Sequence, residues 1–165
     1  MKCLPLLVAA LLPLAALAEP PVQPADAAAS PPAHVMLQAA QLQWGDGPPG
    51  LEPGAQAVVL SGDPGAEGPF ALRLKMPAGY RVALHWHPTA EQVTVIEGNL
   101  TVTMPQGNTR MSQRLDPGGY ALMPARMHHA ASTKDGAVVQ IAGVGPFQIN
   151  YVDSGDDPRL RAAAD

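Results

Sequence analysis

The sequence predicts a small all-β barrel of short strands around one core. Segments rich in Gly, Pro, Asp and Asn recur about every ten residues between short apolar runs, which is typical of a sandwich or barrel. The chain has 165 residues, with 16 Gly and 19 Pro, and 47% of its residues are hydrophobic. This length allows one domain with its own core. Because only 4% of the residues are aromatic, aliphatic side chains must fill most of that core.

The apolar runs predict a series of strands in chain order. We expect them at residues 41–44, 56–60, 70–76, 81–86, 92–97, 100–104, 110–115, 120–123, 130–132, 138–144 and 148–151. Apolar residues alternate at Leu72 and Leu74, and again at Val93 and Val95. This alternation is typical of strands that turn one face into a barrel.

The N-terminus has the features of a secretion signal. Residues 1–18 combine a basic start at Lys2, an apolar stretch and an Ala16-Leu17-Ala18 cleavage pattern. The apolar stretch is shorter than the roughly 20 residues that span a bilayer, and two prolines interrupt it. We therefore expect a periplasmic or secreted protein without a stable membrane span.

The rest of the chain divides by composition. The Pro/Ala-rich residues 19–34 predict a disordered linker, residues 35–153 the barrel domain, and residues 154–165 a C-terminal tail. The single cysteine lies in the signal, so we expect neither a disulfide nor a thiolate ligand after cleavage. The net charge is −4 and the ten Lys and Arg are dispersed, so nucleic acid is not an expected partner.

Potential metal ligands gather around the strand at residues 81–86. His85 and His87 are two residues apart, so a strand places both imidazoles on one face, about 6.6 Å apart along the chain. Pro88 ends this strand and brings Glu91 onto the next one. A second segment, residues 118–129, contains a Gly-rich turn, a strand, a proline corner and then His128 and His129. Its histidines offer a third imidazole.

These two segments resemble the two motifs of the cupin superfamily. Every fixed position of the first motif is filled at the family spacing, by Gly79, His85, His87, Glu91 and Gly98.

The second motif matches in part. Gly118, Pro124 and His129 stand at motif positions, whereas Arg126 replaces a glycine and Thr133 replaces an asparagine. The match selects His129 over His128 as the ligand, and alternation along a strand would turn His128 away. A switch of ligand between these two histidines is the alternative. Without the glycine, we expect the corner at Arg126 to be built differently.

The resemblance implies a single cupin barrel, that is, a double-stranded β-helix or jelly roll. Segments such as Ser61-Gly-Asp-Pro and Val144-Gly-Pro-Phe further resemble small bacterial single-domain cupins of the type 2-like kind, which have no agreed substrate. It also implies one divalent metal ion (Fe, Mn, Ni, Cu or Zn) held by His85, His87, Glu91 and His129. Such a ligand set leaves two open positions for water, dioxygen or substrate.

The resemblance allows two functions. The first is a metal-dependent, dioxygenase-like oxidoreductase, in which Glu91 is also the proton acceptor. Its small polar or phenolic substrate would lie near Arg81, Met123 and Arg126, because Arg81 shares its strand face with His85 and Met123 precedes the corner. The alternatives are core packing for Met123 and a solvated loop for Arg126. The second function is a non-catalytic module that binds or senses a metal or small ligand.

An oligomer is the remaining expectation. Trp86, Thr94 and Ile96 are predicted to alternate outward on adjacent strands. By analogy with small cupins, such a face would form a homodimer.

Overall fold

The computed structural model describes residues 34–162, which form two antiparallel β-sheets with little helix. Its strands are β1 Gly45–Asp46, β2 Gln56–Ser61, β3 Gly68–Met76, β4 Arg81–Trp86, β5 Glu91–Gly98, β6 Leu100–Gln106, β7 Thr109–Leu115, β8 Tyr120–Met123, β9 His129–Ser132, β10 Ala137–Gly145 and β11 Asn150–Tyr151. Short 3-10 turns cover Ala39–Gln41 and Ser154–Asp156, and helix α1 covers Pro158–Ala162. The all-β prediction is confirmed. The predicted secretion signal lies outside the described residues.

Consecutive strands cross between the two sheets as in a jelly roll. One sheet has the order β1-β2-β3-β10-β5-β8 and the other the order β11-β4-β9-β6-β7. The chain therefore alternates between sheets from β3 to β6 and again from β7 to β11. Within residues 34–162 no helix is long and apolar enough to cross a membrane.

Aliphatic side chains from the inner faces of both sheets form the core. In the larger sheet, Leu74 lies opposite Val139, which lies opposite Val95 on the neighbouring strand. Val95 and Val139 are each only 1% exposed. β-Branched residues pack well on such a half-buried pleated surface. The predicted inward alternation of Leu72, Leu74, Val93 and Val95 is therefore confirmed.

Two expectations about the strands are wrong. Residues 41–44 do not form a strand, because the Gln41 side chain accepts a hydrogen bond from the Gln38 backbone at 2.7 Å and the chain makes a 3-10 turn there. Such a local bond competes with a sheet ladder. The outward face of Trp86, Thr94 and Ile96 also does not exist as one surface. Its two strands, β4 and β5, belong to different sheets.

The C-terminal segment forms a 3-10 turn and a short helix as far as the structure describes it. Asp157 caps helix α1 by accepting a hydrogen bond from the Arg159 backbone at 3.0 Å. The Arg159 side chain donates to the Ile149 carbonyl oxygen at 2.9 Å, and Arg161 pairs with Glu52. The helix has five residues and its Leu160 is exposed, so hydrophobic periodicity could not reveal it.

Two tyrosine hydroxyls hold the loop between β1 and β2. Tyr80 donates to the Glu52 carbonyl oxygen at 2.5 Å, and Tyr151 donates to the Gly50 carbonyl oxygen at 2.6 Å. Burial, together with the nearby Tyr151 and Glu52, raises the pKa of Tyr80 to about 12. The neutral phenol is therefore the form that the folded protein favours.

Tyr80→Phe is expected to lower the free energy of unfolding by about 1 kcal/mol, the usual value of one buried hydrogen bond. The variant should also lose part of the alkaline pH dependence. The folded pKa is raised from 10.0 to about 12, so the Tyr80 contribution is complete below pH 10 and is lost as the pH rises towards 12. Urea unfolding at pH 8, 10 and 11.5 measures both effects. An equally steep decline of the free energy of unfolding with pH in the variant would contradict the predicted change in pH dependence.

Candidate metal centre

Three histidines and one glutamate meet where strands of both sheets end. His85 lies near the end of β4, directly opposite His129 at the start of β9. Glu91 begins β5, and His87 follows β4. All four side chains are buried, with exposed fractions of 2% to 6%. One ring nitrogen from each histidine lies within 4.8 Å of the other two, so these three residues could hold a metal ion.

An irregularity in β4 decides which residues face this centre. The register between β4 and β9 shifts between Val82 and His85, so both of these side chains are buried in the barrel. Arg81 is exposed and lines a separate polar groove together with Arg110. The expectation that Arg81 faces inward with His85 is therefore wrong. Strict alternation does not continue through a bulge.

Backbone carbonyl oxygens fix the tautomer of all three histidines. A carbonyl oxygen only accepts hydrogen bonds, so each Nδ1 carries a proton and the lone pair of the neutral ring is on Nε2. The three bonds are His85 Nδ1 to Ala83 O at 2.7 Å, His87 Nδ1 to Gln148 O at 2.7 Å, and His129 Nδ1 to Met127 O at 3.0 Å. This arrangement is the usual support of histidine ligands in metal sites.

The Nε2 lone pairs point at one another and at a carboxylate. Glu91 Oε2 is 3.1 Å from His129 Nε2 and 3.5 Å from His87 Nε2. Within the part of the chain that the structure describes, His87 Nε2 is buried and has no hydrogen-bond partner. Buried acceptors facing one another are unfavourable without a proton or cation between them. The donor set therefore fits a divalent metal ion.

The protonation states favour the same interpretation. Burial, together with neighbouring His129, lowers the pKa of His85 to about 3. Burial also lowers the pKa of His87. For Glu91, burial raises the pKa, but the interactions with His129, His87 and His85 together lower it below the usual range. Neutral imidazoles and an ionised carboxylate are the forms that bind metals.

Aromatic side chains that the sequence analysis missed flank the cluster. The ring of Phe147 stacks on His87, with centroids 4.2 Å apart and planes 16° apart. Tyr151 lies 6.0 Å from the His85 ring. The contribution of Gln148 is a backbone oxygen, which no residue pattern can reveal. Phe147 belongs to the Val144-Gly-Pro-Phe segment, and that segment was the available signal.

The corner before His129 places Arg126 in the left-handed backbone region. Arg126 has a φ of 64° and is the only non-glycine residue with a positive φ among residues 34–162. Its backbone N–H donates to the His87 carbonyl oxygen at 2.8 Å, which ties the corner to the end of β4. The corner therefore places an arginine in a backbone conformation that glycine adopts more readily. The exposed guanidinium of Arg126 lies 5.6 Å from the Trp86 ring centroid instead of lining the barrel cavity.

The two remaining residues considered for the site, Met123 and His128, differ in burial. Met123 is buried, lies opposite Glu91 on the neighbouring strand and lines the barrel cavity. His128 is exposed, whereas His129 is 2% exposed.

The cluster forms part of the wall of a cavity of about 410 Å³ inside the barrel. Most of the remaining wall is aliphatic, for example Leu72, Val93 and Ile141. This volume lies within the usual range of small-molecule sites. The cavity can therefore bring a small molecule into contact with the candidate ligands.

Comparison with known proteins agrees with this architecture. Residues 17–150 match a family model described as "Domain of unknown function (DUF4437)". No curated protein matches the chain. Solved structures similar to it include the polyketide cyclase RemF from Streptomyces resistomycificus, with 15% identity, a TM-score of 0.64 and coverage of 79% of this chain and 94% of that chain.

Two further structures are similar at comparable distance. An RmlC-like cupin from Shewanella frigidimarina shares 17% identity with a TM-score of 0.54, over 68% of this chain and 91% of that chain. KdgF from Halomonas sp. shares 22% identity with a TM-score of 0.52, over 67% of this chain and 94% of that chain. At these identities the likeness establishes the fold alone. The chain thus has the cupin fold and belongs to the family of the domain of unknown function DUF4437.

Proposed function

We propose that the protein is an exported metal-dependent oxidoreductase, dioxygenase-like, that acts on a small molecule inside the barrel. The observation that carries this proposal is the convergence of three imidazole Nε2 atoms and Glu91 on the wall of the cavity. Three histidines and a carboxylate leave positions open on a six-coordinate ion. In a purely structural metal site, protein ligands fill every coordination position of the ion.

Each residue of the centre has a separate role in this proposal. His85, His87 and His129 would hold the ion through Nε2, and the carbonyl oxygens behind them fix the ring orientations. The bound metal would supply Lewis acidity and redox chemistry. Phe147 shields the face of the His87 ring.

Glu91 is the candidate proton acceptor. Its carboxyl pKa is lowered, so the ionised form is available near neutral pH. One oxygen faces His129 and His87, and the residue borders the cavity, where it can reach a substrate proton. The metal is proposed to be Fe, Mn, Ni, Cu or Zn, since imidazole and carboxylate donors suit all of them.

The first experiment measures bound metal and oxygen consumption. The full chain is expressed with its N-terminal segment and recovered without chelator under low oxygen, beside a His85→Ala, His87→Ala double variant. Elemental mass spectrometry should find about one redox metal per chain in the native protein and almost none in the variant. Circular dichroism checks that the variant keeps its β-sheet. Export is tested on the same preparation, because cleavage after Ala18 gives a chain that starts at Glu19.

Different outcomes separate the two functions. A metal-loaded protein that consumes oxygen with a small phenolic or apolar substrate supports the enzyme. A protein that binds ligands but turns over none is a binding module. Failure to retain any of several added divalent ions would sink the metal-dependent proposal.

A further inference from the structure

We propose that the ligand of the barrel is a small amphiphile, with one oxygen-bearing head at the metal centre and an uncharged hydrocarbon body in the interior. The inference deepens the proposed function and depends on it for the head group. The hydrocarbon body is inferred from the cavity wall alone.

The wall beyond the metal centre is aliphatic over successive rows of the barrel. Val93, Ile141 and Leu72 form one row across three paired strands. Val139 and Leu74 form the next row, and Val82 of the opposite sheet also lines the space. All six side chains are buried and all line the cavity. A molecule that reaches past the metal centre therefore meets hydrocarbon on both sides.

The polar side chains of the cavity wall belong either to the candidate metal centre or to residues exposed to solvent. Besides the candidate metal ligands, the polar side chains among its described lining residues are Asp46, Gln148 and Arg159. All three residues are exposed, so they mark the mouth. A charged or hydrogen-bonding group placed against the aliphatic wall would lose its hydration without gaining a partner. This distribution excludes a ligand that is polar along its length, such as a sugar.

Hydrogen bonds hold the residues at the mouth of the cavity in fixed positions. The Arg159 guanidinium is oriented by the Asp157 carboxylate, with two bonds of 2.8 Å, and by the Ile149 carbonyl oxygen. It packs against the backbone at Gly50, where a side chain would approach its Nη1 and Cζ atoms to 3.4 Å. The Tyr151 hydroxyl holds the same Gly50 through its carbonyl oxygen. A fixed mouth limits the length of the body, and the volume of about 410 Å³ limits its bulk.

Alkyl hydroxamic acids of increasing length test this ligand class. The hydroxamate head binds a metal ion through two oxygens, and the chain models the hydrocarbon body. The full-length protein is loaded with zinc, which has no redox activity, and titrated by calorimetry with acetohydroxamic, butanohydroxamic, hexanohydroxamic and octanohydroxamic acid. Each added methylene should tighten binding about fourfold until the cavity is filled.

A substitution in the cavity wall should remove the affinity gained from longer alkyl chains without altering the metal centre. Ala57 lies on β2, lines the cavity and faces Leu74, so Ala57→Leu narrows the interior away from the metal centre. We expect octanohydroxamate to bind at least tenfold more weakly to this variant, with the affinity for acetohydroxamate almost unchanged. Ala71→Leu is the matched control, because Ala71 lies between the inward-facing Phe70 and Leu72 on β3 and does not line the cavity.

The outcomes distinguish this inference from the proposed function. Acetohydroxamate binding with no gain from longer chains, or equal binding of octanohydroxamate to native protein and Ala57→Leu, overturns the hydrocarbon body and leaves the metal centre standing. Absence of zinc by elemental mass spectrometry, together with no binding of any hydroxamate, overturns both.

Discussion

Replacement of His129 by alanine is expected to weaken the binding of a divalent metal at least about 100-fold, whereas His128→Ala should leave it unchanged within about twofold. The two residues are neighbours in the chain but differ in every property that matters for ligation. His129 is 2% exposed, its Nδ1 is held by the Met127 carbonyl oxygen, and its Nε2 faces Glu91. His128 is exposed to solvent.

Competition with a chromogenic chelator measures the two affinities, with zinc or manganese as the ion. His128→Ala controls for the loss of an imidazole from this corner, and circular dichroism shows whether each variant keeps its sheets. Equal losses in both variants would mean that the corner, and not the His129 imidazole, matters for the ion. A loss confined to His128→Ala would reverse the assignment.

The sequence could predict the residues of the centre because two segments match the motifs of the cupin superfamily, and part of the first motif also has a physical explanation. Two histidines two apart on a strand share a face, and a proline after them forces the chain to turn before Glu91. The structure brings all four predicted residues together, and the distances of 3.1 and 3.5 Å from Glu91 to two histidines show how closely they meet.

The surroundings of the centre could not be predicted, for three physical reasons. The register shift at Val82 turns Arg81 outward, and a bulge leaves no clear trace in a single sequence. Arg126 takes a left-handed conformation that favours glycine, and its backbone N–H bonds to His87 O, which compensates part of the cost. The residues of helix α1 are positioned by side-chain bonds to distant backbone atoms, such as Arg159 to Ile149 O.

Substitution of Gly98 is the second change with a large expected effect, and this effect is on the stability of the fold. Gly98→Ala is expected to lower the free energy of unfolding by more than about 3 kcal/mol. The residue ends β5 with a φ of 71°, which disfavours any side chain. In addition, an added Cβ would overlap the carbonyl oxygen of Gly136 and lie 3.0 Å from the Cα of Ala137. Both of these contacts are to backbone, which cannot move aside without disturbing β10.

Gly79 supplies the comparison that separates conformation from contact. It fills the other glycine position of the same motif and has a similar φ of 77°, but a Cβ there would meet nothing within 4 Å. Gly79→Ala should therefore lower the free energy of unfolding by only about 1 kcal/mol. The strain of a left-handed alanine is partly offset, because alanine also reduces the conformational entropy of the unfolded chain. Urea denaturation of both variants measures the difference. Equal destabilisation would mean that φ alone explains both glycines and that the approach of β10 to Gly98 is not a constraint on this barrel.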